Sequence, residues 1–472
     1  MEREFDVVVI GAGPAGEIAA GRLAERGKRV AIVERELVGG ECSFYACMPS
    51  KALLRPAEAL HELQRIPGAA EGVTGPLDVP TVLARRDEIV NRLDDSNQVP
   101  WLESRGITLV RGEARLDGER RVRMGDEVLA ARDAVVIAVG SGALLPPIPG
   151  LAEASTWSNR EITTAREAPR RLLVLGGGVV GVEMAQAWSS LGSEVTVIEA
   201  LDRLLAREEP FAGEQVRDAL EQRGVRVHTG TRAVGVAGDA DGLTVQLDDE
   251  TRVSGDRLLV AIGRKPLTEG LGLETVDLQS GGYVEVDDHM CVVGAPGLYA
   301  VGDVNGRSLL THSGKYQARI AADHILGHPA TAWADTRGAP RVVFTDPQVA
   351  AVGLTLEAAQ TAGIEALAID LPTSGTAGAS FYGRGAPGTT RFVVDTEREV
   401  LAGVTFVGAE VADFLQAATI AVVGEVPLSR LAHAVAPFPT RSELWLKFVE
   451  AYEQQRETTL HSAPAVAAGS RS

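Results

Sequence analysis

Two of the chain's three cysteines, Cys42 and Cys47, lie five residues apart, which makes redox chemistry the first possibility to test. On an ideal helix, residues i and i+5 are separated by ~7.5 Å in rise alone, beyond the ~7 Å Cα limit for a disulfide. The helix start must therefore be distorted if the two cysteines pair. We expect Cys42 in the turn before a helix and Cys47 in its first residues, where the positive helix end would stabilise a thiolate. The alternative is two buried reduced cysteines.

A glycine-rich turn near the N-terminus has the pattern of a dinucleotide-binding site. Residues 6–10 predict a buried strand, and Gly11, Gly13 and Gly16 lead from it into a helix. These glycines allow a tight turn, close approach of the backbone to a pyrophosphate and close helix packing. The helix N-terminus then offers free N–H groups to the anion. Glu34 ends the second strand, 23 residues after Gly11, where its carboxylate can accept hydrogen bonds from ribose hydroxyls.

The same order of strand, glycine turn, helix and strand returns at residues 171–199. Its glycines are Gly176, Gly178 and Gly181, and Glu199 follows Gly176 by the same 23 residues. The chain therefore carries an internal repeat of architecture rather than of sequence, which predicts a second nucleotide site. The alternative is two glycine turns that bind no ligand.

Composition and charge limit the kinds of partner. The chain has 472 residues, 45% of them hydrophobic and 23% charged, which is typical of a folded protein and long enough for about three domains. A formal net charge of −18 would repel nucleic acid and anionic membrane surfaces. No segment approaches the ~20 apolar residues of a membrane span, no signal-peptide pattern is found, and three cysteines are too few for a secreted disulfide scaffold. We expect a cytoplasmic protein that acts on a small molecule, without a metal site, a nucleic-acid partner or membrane insertion.

The segment from Gly39 to Lys51, Gly-Gly-Glu-Cys-Ser-Phe-Tyr-Ala-Cys-Met-Pro-Ser-Lys, and the two glycine turns resemble those of the class I pyridine nucleotide-disulfide oxidoreductases. This family contains dihydrolipoamide dehydrogenase, glutathione reductase and mercuric reductase, and the resemblance extends to about residue 450. It implies a homodimeric FAD-containing flavoprotein that uses NADH or NADPH. The residues that it assigns to FAD are Gly11, Gly13, Gly16, Glu34, Lys51, Gly140, Gly302 and Asp303. Those that it assigns to the nicotinamide nucleotide are Gly176, Gly178, Gly181, Glu199 and Gly263.

The predicted fold is α/β, with two Rossmann-like doubly wound nucleotide-binding domains and, by resemblance, a C-terminal α+β dimerisation domain. A proline-rich run, a second break before residue 267 and a strand-rich pattern from Arg341 onward mark the boundaries. The predicted parts are an FAD domain (1–150 and 267–338), an NAD(P) domain (151–266), a dimerisation domain (339–452) and a flexible tail (453–472).

The resemblance also gives roles to the redox segment. Cys47 would contact the flavin and form a charge-transfer thiolate, and Cys42 would be the interchange sulfur that faces the substrate. Lys51, one turn beyond Cys47, would approach the flavin and pair with Glu183. Cys291 has no cysteine near it in the sequence and is interpreted as structural.

Residues at the second glycine turn bear on the choice of nucleotide. Glu199 favours NADH, because a carboxylate accepts hydrogen bonds from a free 2′-hydroxyl and repels a 2′-phosphate. Ala200 and Ala206 stand where NADPH-specific relatives carry arginines, whereas Arg203 and Arg207 leave NADPH open. Val179 stands where glutathione reductases place a tyrosine over the flavin, and simple helix packing would explain it equally well.

The C-terminal segment departs from the family. Its disulfide reductases end with His-Pro-Thr and a glutamate five residues after the histidine, supplied across the dimer interface. This chain has Phe438-Pro-Thr and then Glu443. Phenylalanine cannot act as the general acid–base that keeps the interchange thiol ionised, a role worth about 10² to 10⁴ in rate, and Glu443 then lacks the partner that it would orient. His433 is a conceivable replacement; the alternative is a surface or packing role.

Aromatic residues between the two cysteines are a second departure. Phe44 and Tyr45 stand where the family usually has smaller residues. With Phe438, they suggest a drier acceptor pocket that would suit a quinone or another planar acceptor; the alternative is that they only pack.

Three functions follow from these patterns. The first is reduction or oxidation of a small dithiol, as in dihydrolipoamide dehydrogenase, and the second is direct transfer from the flavin to a quinone, as in diaphorases. The third is that of an electron-transfer subunit in a multienzyme complex.

The cysteine count argues against two other members of the family. Mercuric reductases and the larger thioredoxin reductases need an additional C-terminal cysteine pair, and no cysteine follows Cys291.

Overall fold

The computed structural model describes residues 2–239, 242–386 and 388–462. These residues divide into two compact units. The first unit lies within Met1–Ala59, Gly75–Leu205 and Arg217–Ala339, and the second lies within Leu60–Thr74, Ala206–Val216 and Pro340–Ser472.

The described chain contains both strands and helices, and alternates between them in the segments from β1 to β2 and from α6 to β10. In chain order, the strands are β1 (Glu2–Ile10), β2 (Val30–Glu34), β3 (Thr108–Arg111), β4 (Arg115–Leu116), β5 (Arg121–Met124), β6 (Glu127–Ile137), β7 (Ser141–Ala143), β8 (Arg171–Leu175), β9 (Glu194–Ile198), β10 (Arg226–His228), β11 (Ala233–Asp239), β12 (Gly242–Leu247), β13 (Arg252–Gly255), β14 (Arg257–Val260), β15 (Arg264–Pro266), β16 (Leu298–Ala300), β17 (Arg341–Val343), β18 (Gln348–Gly353), β19 (Ala366–Pro372), β20 (Thr389–Asp395) and β21 (Val400–Gly408). The helices are α1 (Pro14–Ala24), α2 (Gly40–Phe44), α3 (Cys47–Arg65), α4 (Val79–Ile89), α5 (Val99–Glu103), α6 (Asn159–Thr164), α7 (Val179–Ser190), α8 (Pro210–Gln222), α9 (Thr311–Ile325), α10 (Ala334–Arg337), α11 (Leu356–Thr361), α12 (Val411–Val423), α13 (Leu428–Leu431) and α14 (Glu443–Ser462).

The largest sheet has the order β3-β2-β1-β6-β5-β4, and β16 also pairs with β6. Its central strands β3, β2, β1 and β6 are parallel. Both faces of β1 are buried: Val7 and Val9 belong to one core cluster, and Val8 and Ile10 belong to another. The uninterrupted apolar run of this strand is what a parallel strand covered on both faces requires. Helices α1 and α9 pack together on the Val7 face through small residues, chiefly alanines.

A second parallel sheet repeats the first at smaller size, with the order β10-β9-β8-β14. Its β8-α7-β9 unit has the same connectivity as β1-α1-β2, so the predicted internal repeat is confirmed. One face of this parallel sheet packs against the antiparallel sheet β11-β12-β13, through Leu173, Leu175 and Ile198.

A two-stranded ribbon of β7 and β15 joins the segments that carry the two parallel sheets. The strands are antiparallel, with Ser141 opposite Pro266 and Ala143 opposite Arg264. The ribbon therefore brings residues that lie far apart in sequence to one place beside the first sheet.

The second unit contains the antiparallel sheet β17-β18-β21-β20-β19, with α12 and α14 packed on it. Its core is aromatic: the ring centroids of Phe392 and Phe448 lie 4.2 Å apart, and Phe406 meets Phe392 edge-on. Helix α14 continues to Ser462, past the predicted domain end at residue 452, and residues 463–472 of the predicted tail lie outside the described part.

The predicted α/β fold with two doubly wound sheets and a C-terminal α+β domain is confirmed. Residues 60–74 and 206–216 lie in the second unit, although the sequence placed them in the FAD and NAD(P) domains, and the exact domain boundaries stay a prediction. In the described ranges, no helix is long and apolar enough to cross a membrane.

Candidate redox site

The first glycine turn has a backbone that admits only glycine at two positions. Gly11 has a φ of +101°, and a Cβ there would lie 2.4 Å from the carbonyl oxygen of Ala138. A Cβ on Gly16 would lie 1.9 Å from the carbonyl oxygen of Gly11. Helix α1 thus begins directly against the end of β1, with Gly13 as its N-cap and no side chain covering its first N–H groups. Such a helix start can bind an anionic group through its backbone.

The carboxylate of Glu34 is buried at the end of β2 and faces this turn. One of its oxygens accepts a hydrogen bond from the Ala12 N–H at 2.7 Å, and the other accepts one from the Glu36 N–H at 2.8 Å. Because the remaining lone pairs can accept bonds from hydroxyl groups, the position suits a ribose.

A cavity, partly open to solvent, extends from Glu34 along the turn to Cys42. Of the residues assigned to FAD, those that line it are Gly11, Gly13, Glu34, Gly140, Gly302 and Asp303. Gly16 and Lys51 do not border it, since Gly16 packs α1 against the turn and Lys51 points to Glu183. A lining that runs from the buried Glu34 carboxylate past the start of α1 to Cys42 fits an extended dinucleotide.

The second glycine turn reproduces the geometry of the first. Gly176 has a φ of +111°, and a Cβ on Gly181 would lie 1.9 Å from the Gly176 carbonyl oxygen. Glu199 accepts hydrogen bonds from the N–H groups of Gly177 at 2.5 Å and Leu201 at 2.7 Å. Glu199 therefore stands to this turn as Glu34 stands to the first.

Three other residues of the predicted nucleotide site lie around this turn. Gly178 is the N-cap of α7, and Gly263, with a φ of +150°, follows the end of β14. Val179 is 43% exposed at the start of α7, so helix packing does not explain why a valine stands at this position.

The redox segment is a helix broken between its two cysteines. Cys42 lies in the short helix α2, Tyr45 leaves helical geometry with φ −132° and ψ −2°, and Cys47 is the first residue of α3. The expected distortion and the position of Cys47 are confirmed. The expectation that Cys42 lies in the turn is wrong, because α2 begins at Gly40, directly after the left-handed Gly39, and already includes Cys42.

The two thiols differ in acidity. The hydrogen bond from Cys42 lowers the pKa of Cys47 to about 6, with further help from Thr311 and Lys51. The same hydrogen bond and burial raise the pKa of Cys42. The Thr311 hydroxyl lies 3.4 Å from the Cys47 sulfur, at the start of α9. Cys47 is therefore the sulfur that ionises first.

Lys51 and Glu183 form the predicted ion pair. The Lys51 ammonium lies 2.7 Å from a Glu183 carboxylate oxygen, and the Glu183 side chain is only 3% exposed. The pair joins α3, which begins with Cys47, to α7, which begins at the second glycine turn.

Asp303 belongs to a network that the sequence analysis missed in part. Its carboxylate accepts a hydrogen bond from Ser141 at 2.5 Å, and the Arg264 guanidinium donates to Ser141 at 2.6 Å. Ser141 directly follows Gly140, and Arg264 directly follows Gly263. Because both glycines were assigned to nucleotide binding, the sequence could have indicated that Ser141 and Arg264 lie at the site. Thr311 carried no such signal, because 264 residues separate it from Cys47.

The aromatic pair between the cysteines does not form the pocket that the sequence suggested. Phe44 is 1% exposed and belongs to the interior, which corrects its assignment to an acceptor pocket. Tyr45 lines the cavity, but the guanidinium of Arg160 lies 4.4 Å from its ring centroid. Arg160 also donates a hydrogen bond to Glu41 at 2.5 Å. Tyr45 is therefore covered by a charged group on the side where Arg160 lies.

The C-terminal departure lies in the second unit. Phe438 is 75% exposed, and Glu443 begins α14 with its Oε2 atom buried and without a hydrogen-bond partner in the described part of the chain. The His433 side chain is exposed. The described residues contain no group of three or more His, Cys, Asp or Glu side chains arranged to hold a metal ion.

Two family models match the chain. The model described as pyridine nucleotide-disulphide oxidoreductase matches residues 5–322, and the dimerisation domain of the same family matches residues 339–448. The chain belongs to the pyridine nucleotide-disulphide oxidoreductase family.

Relatives within this family are similar over nearly the whole chain. A dihydrolipoyl dehydrogenase of Thermus scotoductus is 37% identical over 462 residues, which cover 96% of this chain and 98% of the relative. A mercuric reductase of Staphylococcus aureus is 30% identical and aligns with 93% of this chain and 81% of its own length. The HOCl-induced flavoprotein disulfide reductase RclA from Escherichia coli superposes with a TM-score of 0.83 at 25% identity, covering 95% of this chain and 99% of RclA. LpdA from Mycobacterium tuberculosis superposes with a TM-score of 0.82 at 27% identity, covering 95% and 99%.

Family membership agrees with the geometry of the two turns. The chain is a flavoprotein oxidoreductase that uses FAD and a nicotinamide nucleotide, and it carries the family's dimerisation domain.

Proposed function

We propose that the chain is an NADH-dependent disulfide reductase of the dihydrolipoamide dehydrogenase type, with Cys42 and Cys47 as its redox pair. The observation that carries this is the contact of the two thiols beside the cavity, with the pKa of Cys47 lowered to about 6 by the hydrogen bond from Cys42. Two thiols that share one proton in this way are prepared to cycle between dithiol and disulfide.

The chain's own residues would hold the cofactors. The α1 N-terminus would bind the FAD pyrophosphate, Glu34 would bind the adenosine ribose, and Asp303, held by Ser141, would bind the ribityl chain. FAD, when bound, would accept a hydride from the nicotinamide and supply two electrons to the neighbouring disulfide. Lys51 would stay oriented by Glu183. By analogy with the family, Cys47 would be the sulfur nearer to the flavin.

The preference for NADH rests on Glu199. Its two oxygens are fixed by the N–H groups of Gly177 and Leu201, so the negative charge stands at the ribose position and would repel a 2′-phosphate. The ratio of kcat/KM for NADH and NADPH tests this, and a clear preference for NADPH would contradict it.

A homodimer is part of the proposal, since the dimerisation domain is present. By analogy with the family, it would bring Phe438 and Glu443 of one subunit to the redox pair of the other. The acceptor is a small molecule, and the cytoplasmic location stays a prediction from the sequence.

Phe438 favours a second function, reduction of a quinone. An exposed phenyl ring at the histidine position transfers no proton, whereas a planar acceptor that takes electrons from the flavin needs no thiol proton transfer. Because Phe44 is buried, it does not form part of an aromatic acceptor pocket, and the proposal of quinone reduction rests on Phe438 alone.

Oxidation of NADH by the purified holoenzyme, measured with lipoamide and with a quinone in parallel, separates the two functions. The double variant Cys42→Ser, Cys47→Ser should lose lipoamide reduction and keep any quinone reduction. Loss of both activities in a variant that retains FAD would mean that the quinone also takes its electrons from the cysteines. Fast quinone turnover by the native enzyme with little lipoamide turnover would reject the first function.

A further inference from the structure

The proposed disulfide chemistry leaves Cys42 with an unmet requirement. An interchange thiol must be a thiolate when it attacks, and in this chain burial and the bond to Cys47 raise the pKa of Cys42. The family position that would supply a histidine holds Phe438. A cation close to Cys42 within the same unit would satisfy the requirement.

The start of helix α9 faces the redox pair. Thr311, its first residue, lies 3.4 Å from the Cys47 sulfur and also lowers the pKa of Cys42. Lys315 follows four residues later and therefore lies on the same face of α9, one turn on. Leu310, Thr311 and Gly314 line the cavity that Cys42 also borders.

Close packing fixes this turn of α9 against α1. A Cβ on Gly314 would lie 3.3 Å from the Ala15 side chain and 3.2 Å from the Cα of Gly302, so the helices meet with almost no space between them. Glu17, two residues after Ala15 in the first turn of α1, is partly buried there. Burial raises the pKa of Glu17 to about 7, Lys315 on α9 opposes that rise, and Glu34 on β2 adds to it.

We propose that Lys315 is the positioning residue that favours the thiolate of Cys42, in place of the histidine that the chain lacks, and that Glu17 modulates it. Each sulfur then has its own lysine, Lys51 for Cys47 and Lys315 for Cys42. Lys315 also lowers the pKa of Cys42 through its charge, against the larger effects of Cys47 and burial. The inference rests on the proposed redox role of Cys42.

The step that Lys315 would assist is a thiol–disulfide exchange. The Cys42 thiolate attacks one sulfur of the acceptor disulfide, that S–S bond breaks, and the leaving thiolate takes a proton from solvent. The Cys47 thiolate then attacks the Cys42 sulfur, re-forms the Cys42–Cys47 disulfide and releases the second thiolate. The acceptor gains two electrons, and the cysteine pair loses two.

The pH dependence of alkylation tests the proposal directly. The holoenzyme is reduced with a phosphine, treated with iodoacetamide at a series of values from about pH 5 to pH 11, and the modification of each cysteine is measured by mass spectrometry. The series extends to high pH because the pKa of Cys42 is raised. In Lys315→Met the midpoint for Cys42 should rise by roughly half to one pH unit, since an exposed charge acts through partly screened space. At neutral pH its alkylation should slow by about threefold, because a smaller fraction of Cys42 is ionised. The greater nucleophilicity of the thiolate with the higher pKa offsets part of this loss.

Matched variants show whether the charge itself is responsible. Lys315→Arg should restore the native midpoint, and Lys28→Met, which removes a lysine paired with Asp133 at 2.8 Å, should leave it unchanged. Glu17→Gln should lower the midpoint, since it removes a negative charge that opposes Lys315 above about pH 7, the pKa of Glu17. Glu25→Gln, at the other end of α1, should have no effect.

Two outcomes overturn different parts of the argument. If NADH reduces the pair but Lys315→Met leaves the Cys42 midpoint unchanged, Lys315 has no such role. If NADH fails to produce alkylatable Cys42 in the native holoenzyme, the proposed disulfide reductase function itself is wrong.

Discussion

The ammonium group of Lys51 lies 2.7 Å from the buried carboxylate of Glu183, and both charges act on Cys47. The hydrogen bond from Cys42 contributes most to the lowered pKa of Cys47, Lys51 lowers it further, and Glu183 raises it. The ion pair therefore determines how much of the lysine's charge reaches the sulfur.

Opposite shifts should follow when the two members of this pair are changed. Lys51→Met should raise the pKa of Cys47 from about 6, whereas Glu183→Gln should lower it, because the lysine is then no longer offset. A reaction step that needs the Cys47 thiolate gains rate as pH rises through this pKa, so its pH profile should move to higher pH in the first variant and to lower pH in the second. Single-turnover kinetics against pH, with Lys28→Met as control, would measure this. A shift in the same direction for both variants would contradict the ion-pair argument.

Gly16 and Gly13 should respond differently to alanine. A Cβ on Gly16 would overlap the Gly11 carbonyl oxygen at 1.9 Å, whereas a Cβ on Gly13 meets no atom within 4 Å. Gly16→Ala should therefore lower the free energy of unfolding of the apoprotein by roughly 1–3 kcal/mol or more. Gly13→Ala should fold normally and lose FAD affinity, because its methyl group stands at the helix start where the pyrophosphate would bind. Denaturant unfolding and FAD titration of both variants separate the two effects, and an equally unstable Gly13→Ala would refute this assignment.

Features whose residues lie close together in the sequence were the ones that could be predicted from it. The turns at Gly11 and Gly176 were predictable because strand, glycines, helix and carboxylate follow within one short stretch, and the contact between Lys51 and Glu183 was available from the family pattern. Cys42 was misplaced because the helix break falls at Tyr45, a residue without a strong preference for leaving a helix. The burial of Phe44 was not predicted, because a five-residue helix is too short for its hydrophobic periodicity to show which face is buried.

Contacts between distant segments could not be predicted in the same way. Thr311 reaches Cys47 across 264 residues, and Arg160 covers Tyr45 from a different helix. Neither contact leaves a periodic or spacing signal in the sequence, since each depends on how the parallel sheets bring helix starts together.

Glu34 and Glu199 hold equivalent positions and should control different nucleotides. Each accepts two backbone N–H hydrogen bonds from its glycine turn and the strand end beside it. Glu199→Gln should raise the KM for NADH by roughly tenfold and reduce discrimination against NADPH, because a charged hydrogen-bond acceptor is lost. Glu34→Gln should instead lower the FAD content of the purified protein. Each variant serves as the control for the other, and an FAD loss in Glu199→Gln equal to that in Glu34→Gln would contradict the assignment.

Restoring a histidine at position 438 should test why the family's acid–base is absent. Phe438→His would place an imidazole five residues before Glu443, whose buried Oε2 atom has no hydrogen-bond partner in the described residues. If proton transfer limits disulfide exchange, lipoamide turnover should rise by about 10² or more, within the range expected for a general acid–base. Glu443→Gln should have little effect in the native chain and should reduce the gain in the Phe438→His background, because only there does the carboxylate have an imidazole to orient. An unchanged lipoamide rate in a folded, FAD-loaded Phe438→His variant would show that the missing histidine is not what limits this reaction.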